Sequence, residues 1–191
     1  MALIDSLSME AGSAEWPDFT TPDKRRLGRD GAGFDWLQST ELQEIFWYWT
    51  RIRGGNVLPS RSDFDPLDLR GALGWITLVD RNADAGEFRY RLVGTRVSEL
   101  TGIDLTGQSV SAMPLGGYSD FLVGRMWEAV DRARPIACRY ALDLRQRRVL
   151  VERVDLPLTN GSDRVEFILT GILPLARSKA VLETQIERRY A

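Results

Sequence analysis

The chain has 191 residues, 43% of them hydrophobic and six of them tryptophan, enough apolar material for one core and a length that suggests one domain with extensions. The formal net charge is -2, so no strong field points to nucleic acid or to anionic lipid. Histidine is absent, which removes the Ser-His-Asp form of catalysis, the commonest metal ligand and the commonest general base near neutral pH, and the single cysteine, Cys138, excludes an internal disulfide.

No run approaches the ~20 apolar residues of a membrane span. The N-terminus carries Asp5 where a signal peptide wants positive charge, and it lacks an apolar stretch of about 7–15 residues. A soluble, cytoplasmic protein without a membrane span is therefore expected.

Residues 1–38 are rich in Gly, Asp, Ser and Pro and read as a disordered or loosely ordered segment. Its basic cluster, Lys24, Arg25 and Arg26, reads as a solvated tail rather than a phosphate site. A helix is predicted in "STELQEIFWYWTRIRGG", with Ser39 or Thr40 as cap and Gly54 and Gly55 as stop. Leu42, Ile45, Phe46, Trp49 and Ile52 fall on one face, with Trp47 and Tyr48 beside it. Phe46, Trp47, Tyr48 and Trp49 mark an interaction helix, packing against a sheet or a second copy of the chain.

In "SRSDFDPLDLRGALGW", Asp65 and Pro66 read as helix cap and first helical residue. The triplet Asp63, Asp65 and Asp68 is better explained by capping than by a metal, and no metal site is expected. A hairpin follows, turning near Asn82, Asp84 and Gly86, with Phe88, Tyr90 and Leu92 on one face and Arg89 and Arg91 on the other. Thr95 reads as the cap of a short helix that stops at Gly102.

"GIDLTGQS", Gly102 to Ser109, comes within a residue of a P-loop, with Gln108 in the lysine position. That mechanism needs a strand before the loop and a long helix after it, and here a short helix precedes while Pro114 and two glycines follow. A helix stop and tight reversal explains it better, with Asp104 in an Asx-turn to Thr106 and Gly107 at positive φ.

A longer helix from about Ser119 places Phe121, Leu122, Met126, Ala129, Val130 and Ala133 on one face. Three strands follow, "PIACRYALDL", "RRVLVERVDLPL" and "VEFILTGILPL", divided by turns at Arg145–Arg147 and Asn160–Gly161. Residues 177–191 read as a tail, possible helix included. Arg145, Arg147 and Arg148 cluster at one turn without the basic stripe of a nucleic-acid binder.

The order of elements and two motifs resemble the PAS domain family. "YRLVGTRVSELTGIDLTGQSV", Tyr90–Val110, is similar to the second strand, first helix and following turn of PAS domains. "YWTRIRGGNVLPSRSDFDPLDLR", Tyr48–Arg70, resembles the lead-in of a bacterial group of single PAS domains without a fused output domain. The resemblance implies an α+β fold across 39–176. Its five-stranded antiparallel sheet would carry helices on one face, with the N-terminal helix as a flank. It implies sensing or protein association rather than catalysis. It also disfavours haem bound through histidine, which the chain lacks, and a flavin–cysteinyl adduct, because Cys138 lies on a predicted strand outside an Asn-Cys-Arg helix motif.

A pocket in such a fold would have Tyr90, Cys138 and Tyr140 on its floor and Val97, Leu100, Met113, Tyr118 and Met126 as its lid. The same side chains also make an ordinary core. On the fourth strand, Leu150, Val154 and Leu156 favour a register that buries Glu152, whereas the odd register buries Arg153. Either buried charge needs a partner, so both are candidates. Cys138 reads as a small hydrophobe. The expected function is a sensory or adaptor protein that binds a small molecule, a second copy of itself, or a signalling partner such as a kinase or regulator. A ligand-free dimerising scaffold with a self-filled core is the alternative.

Overall fold

The computed structural model describes residues 37–82, 86–113, 117–144 and 147–175. Nearly all of the anticipated N-terminal segment, the C-terminal tail, and the turn residues Asp84, Pro114 and Arg145 lie outside the described residues.

Helix α1 spans Thr40–Arg53, and Gly54, at φ 55°, ends it where a side chain would be strained. Ser39 occupies the N-cap position but makes no side-chain cap; its backbone N–H has another partner, described below. Three 3₁₀ turns follow, Arg61–Asp63, Pro66–Leu69 and Leu73–Trp75; the second is opened by Asp65, whose carboxylate accepts from Leu67 N at 2.9 Å, with Pro66 at its first position as expected. Asp63 accepts from Ser60 N within its own turn, and Asp68 pairs with Arg51, so each of the three aspartates has a separate partner.

Strands β1 (Ile76–Asn82) and β2 (Glu87–Val93) form the hairpin. The register shifts between Leu78 and Val79, pairing Val79 with Tyr90 but Leu78 with Leu92. Leu92 therefore falls on the face opposite Tyr90, which corrects the simple alternation of Phe88, Tyr90 and Leu92. Helix α2 (Thr95–Thr101) begins from Gly94 as cap, so Thr95 is its first residue and not its cap; Gly102 stops it in the left-handed region.

The "GIDLTGQS" turn has a structural use. Asp104 accepts from Thr106 N at 2.9 Å, and Gly107 has φ 80°. The chain then runs along the outer edge of β2: Gly107 N donates to Tyr90 O at 2.8 Å, Tyr90 N to Gln108 O at 3.0 Å, and Val110 N to Phe88 O at 2.8 Å. This stretch covers a sheet edge that would otherwise expose unpaired backbone.

Helix α3 (Gly117–Arg132) leads to β3 (Ile136–Leu144), β4 (Arg147–Leu158) and β5 (Phe167–Pro174). The five strands form one antiparallel sheet in the order β2-β1-β5-β4-β3. Helix α3 covers one face, where Phe88 meets Trp127 and Tyr140 meets Phe121. Helix α1 covers the other, where a Cβ on Gly171 would sit 2.6 Å from Leu42 Cδ2.

Both faces of the central strands are therefore interior. The aromatic residues of α1 serve that packing: Phe46, Tyr48 and Trp49 are buried, and Trp49 Nε1 donates to Pro157 O at 2.9 Å. Of the four residues expected to mark an interaction helix, only Trp47 stays outside this packing, at 56% exposed.

Candidate functional site

The fourth strand resolves the register question by burying both residues. Glu152 is 0% exposed and Arg153 3%. As neighbours on β4 they leave the strand on opposite faces, and each has found different partners.

On the α1 face, the Glu152 carboxylate accepts from Gln38 N at 2.9 Å and from Ser39 N at 2.8 Å. Arg139, directly opposite on β3, donates from Nε at 2.7 Å and also pairs through Nη2. Glu152 thus binds the N–H of the N-cap residue Ser39 and of Gln38 just before it, at the helix end where negative charge is favoured. This is an anchor for the flanking helix, remote from the other candidate side chains.

On the α3 face, Arg153 and Asp155 lie side by side along β4, and Thr170 faces Asp155 across β5. Arg153 Nε donates to Asp155 Oδ2 at 2.9 Å, and Nη2 donates to Asp155 Oδ1 at 2.7 Å and to Thr170 Oγ1 at 3.3 Å. Thr170 Oγ1 in turn donates to Asp155 Oδ1 at 2.7 Å. Burial opposes the Arg153 charge, but the adjoining carboxylate more than restores it and holds its pKa well above the usual value.

The charge acts on three tyrosines on this side of the sheet, Tyr90, Tyr118 and Tyr140. Tyr118 of α3 and Tyr140 of β3 place their hydroxyls 2.7 Å apart, and Phe121 stacks on Tyr118 and meets Tyr140. Burial raises the pKa of all three phenols. It also pushes the Cys138 thiol up to about 12, with the Asp155 carboxylate adding to the effect, so the thiol is protonated at neutral pH.

Of the predicted floor and lid, the structure brings together Tyr90, Tyr118, Cys138, Tyr140 and Arg153. Val97, Leu100, Met113 and Met126 are buried in the same hydrophobic core, and α2 packs chiefly against the Leu73–Trp75 turn. Glu152 is separated from the group by the thickness of the sheet. Asp155, Thr170 and Phe121 are the members that sequence reasoning missed. Asp155 was readable, because a residue two places from Arg153 on a strand shares its face. Thr170 depended on the β4–β5 register.

A family model described as a PAS domain matches residues 37–173. The chain belongs to the PAS domain family. Among solved structures this PAS domain is similar to a LOV protein of Rhodobacter sphaeroides, at 16% identity and TM-score 0.43, over 58% of this chain and 64% of that one. It is also similar to the PAS domain of BvgS from Bordetella pertussis, at 13% identity and TM-score 0.38, over 66% of this chain and 100% of that one. No curated protein matches the chain. Among the described residues, no helix of the PAS domain is long and apolar enough to cross a membrane.

Proposed function

We propose that this PAS domain is a cytoplasmic sensory module that takes up a small molecule on the α3 face of its sheet and delivers the response by contact with another protein. One observation carries the reading: the buried Arg153–Asp155–Thr170 cluster beside the Tyr118–Tyr140 pair. A buried ion pair contributes little net stability against an apolar replacement, and perturbed titratable groups gathered in one place are a mark of functional sites.

Uptake shifts a population: the ligand favours the packing of α3 against the sheet that it binds better. The route outward is β4, since Arg153 touches the cluster and the adjacent Glu152 holds the start of α1. A second copy of the chain and a kinase or regulator are the partner classes proposed. The reading is non-catalytic, supported by the absence of histidine from the sequence and the protonated state of Cys138.

A ligand-free scaffold is the second reading, favoured by the mutual hydrogen bond of Tyr118 and Tyr140 and the burial of Met113 and Met126. Native mass spectrometry of protein purified from its own host separates the two. A non-covalent mass that is lost on denaturation supports the sensor; a clean apo mass supports the scaffold. The same spectrum reads whether the particle is a dimer.

A further inference from the structure

The loop between β4 and β5 carries the pair Asn160–Gly161, and of the three asparagines in the chain, Asn56, Asn82 and Asn160, only Asn160 precedes a glycine. Both residues of the pair are exposed, and Gly161 holds φ 89°, where a side chain would be strained. The loop is tied down through other groups. Asn160 N donates to Glu166 Oε2 at 2.7 Å, Ser162 N to Thr159 Oγ1 at 3.0 Å and Arg164 N to Ser162 Oγ at 3.1 Å. Neither the Asn160 carboxamide nor the Gly161 amide takes part in these bonds.

An asparagine carboxamide and the next backbone nitrogen can close a five-membered ring, and glycine has no Cβ to crowd that nitrogen. We propose that Asn160 is a site of spontaneous deamidation, a covalent modification that acts on the turn and is independent of the sensory reading. The Gly161 nitrogen gives up its proton to solvent and bonds to Asn160 Cγ, and the side-chain nitrogen leaves as ammonia. Water then opens the succinimide. Cleavage at Cγ gives aspartate, and cleavage at the main-chain carbonyl gives isoaspartate. Water and the departing ammonia balance the reaction, with no oxidant or cofactor.

The neighbours decide what the product does. Thr159, just before the site, ties the end of β4 to the segment that leads into the first 3₁₀ turn: Arg61 N donates to Thr159 O at 2.7 Å, and Thr159 N to Pro59 O at 3.0 Å. Either product places a carboxylate on the residue whose N–H Glu166 already holds, and like charges in contact repel. Isoaspartate also adds a carbon to the main chain. The modified turn therefore loosens its hold on Arg61 and Ser162.

The full chain is aged in mildly alkaline buffer and cleaved after Arg153 and Arg164, which releases peptide 154–164 for mass spectrometry. Replacing NH2 by OH adds about 1 Da, and electron-transfer fragmentation tells isoaspartate from aspartate. The gain is expected in this peptide about tenfold faster than at Asn56 or Asn82, a barrier difference of about 1.4 kcal/mol. Isoaspartate is expected among the products. Asn160→Gln, which cannot close the five-membered ring, shows no gain there. Hydrogen exchange of the aged protein is faster at the Arg61 and Ser162 amides than in fresh protein. An unchanged peptide 154–164, or equal rates at Asn56 or Asn82, overturns the site. A mass gain with unchanged exchange at Arg61 and Ser162 overturns the loosening of the turn.

Discussion

Glu152 and Arg153 are consecutive on β4, both buried, and anchored on opposite sides of one sheet: Glu152 to the N–H groups that open α1, Arg153 to Asp155 beneath α3. A strand sends successive side chains to opposite faces, so this dipeptide joins the flanking helix to the candidate site across a single peptide unit.

Glu152→Gln keeps the shape but removes the charge that the Gln38 and Ser39 amides and Arg139 share. Losing one partner of a buried, charge-assisted set costs about 2–4 kcal/mol. Urea unfolding measures the loss, and hydrogen exchange locates it, with the amides of Gln38, Ser39 and the first turn of α1 exchanging faster than those of α3. Unchanged exchange at the start of α1 would mean that apolar packing alone holds the helix.

Arg153→Met strands the Asp155 carboxylate in the core and is expected to cost about 3–5 kcal/mol. Arg153→Met/Asp155→Leu removes both charges and recovers most of that loss, so a double-mutant cycle on urea midpoints shows strong coupling. On the sensory reading the double variant folds but no longer retains the ligand seen by native mass spectrometry. A folded double variant that keeps the ligand would move the site elsewhere.

The Cys138 thiol, ordinarily near 9.0, is held by burial at about 12 in the folded chain. A folded pKa above the unfolded one gives stability that is complete below about pH 9 and is lost as pH rises from there toward 12. The loss is at most about 1.4 kcal/mol per pH unit for one group. Tyr118 and Tyr140, raised in the same direction, add to the fall above about pH 10. Urea midpoints taken from pH 8 to 10 test the first part: Cys138→Ala flattens the slope. An identical slope in wild type and variant would show that another group titrates there.

Two glycines differ in what a methyl group would strike. A Cβ on Gly94 would lie 2.3 Å from the Gly74 carbonyl oxygen, backbone against backbone at the cap of α2. Gly94→Ala is expected to cost about 2–3 kcal/mol, the upper part of the overpacking range. At Gly171 the obstacles are Leu42 Cδ2 at 2.6 Å and Ile45 Cδ1 at 2.9 Å, the ends of flexible side chains. Gly171→Ala therefore costs about 1 kcal/mol and appears chiefly as a loosened α1. Thermal unfolding of the pair ranks them, and the reverse order would contradict the packing.

The local elements were legible in the sequence because their signals are local. The spacing of Leu42, Ile45 and Trp49 made α1, Asp65 and Pro66 opened a 3₁₀ turn, and Gly102 stopped α2. The order of those elements, with the "GIDLTGQS" turn among them, pointed to the PAS family and its antiparallel sheet.

The site was legible only in part. Tyr118, Cys138, Tyr140 and Arg153 were readable as candidates, but the alternation on β4 left Glu152 and Arg153 as competing choices. Period-2 reasoning assigns one face to the core and one to water, and here α1 and α3 make both faces interior. The bulge that turns Leu92 away from Tyr90 and the β4–β5 register that sets Thr170 against Asp155 are likewise pairings between distant segments. The sequence by itself determined which stretches became helix and strand; which side chains met across the sheet was decided by tertiary packing, because burial of a charge depends on what lies opposite it.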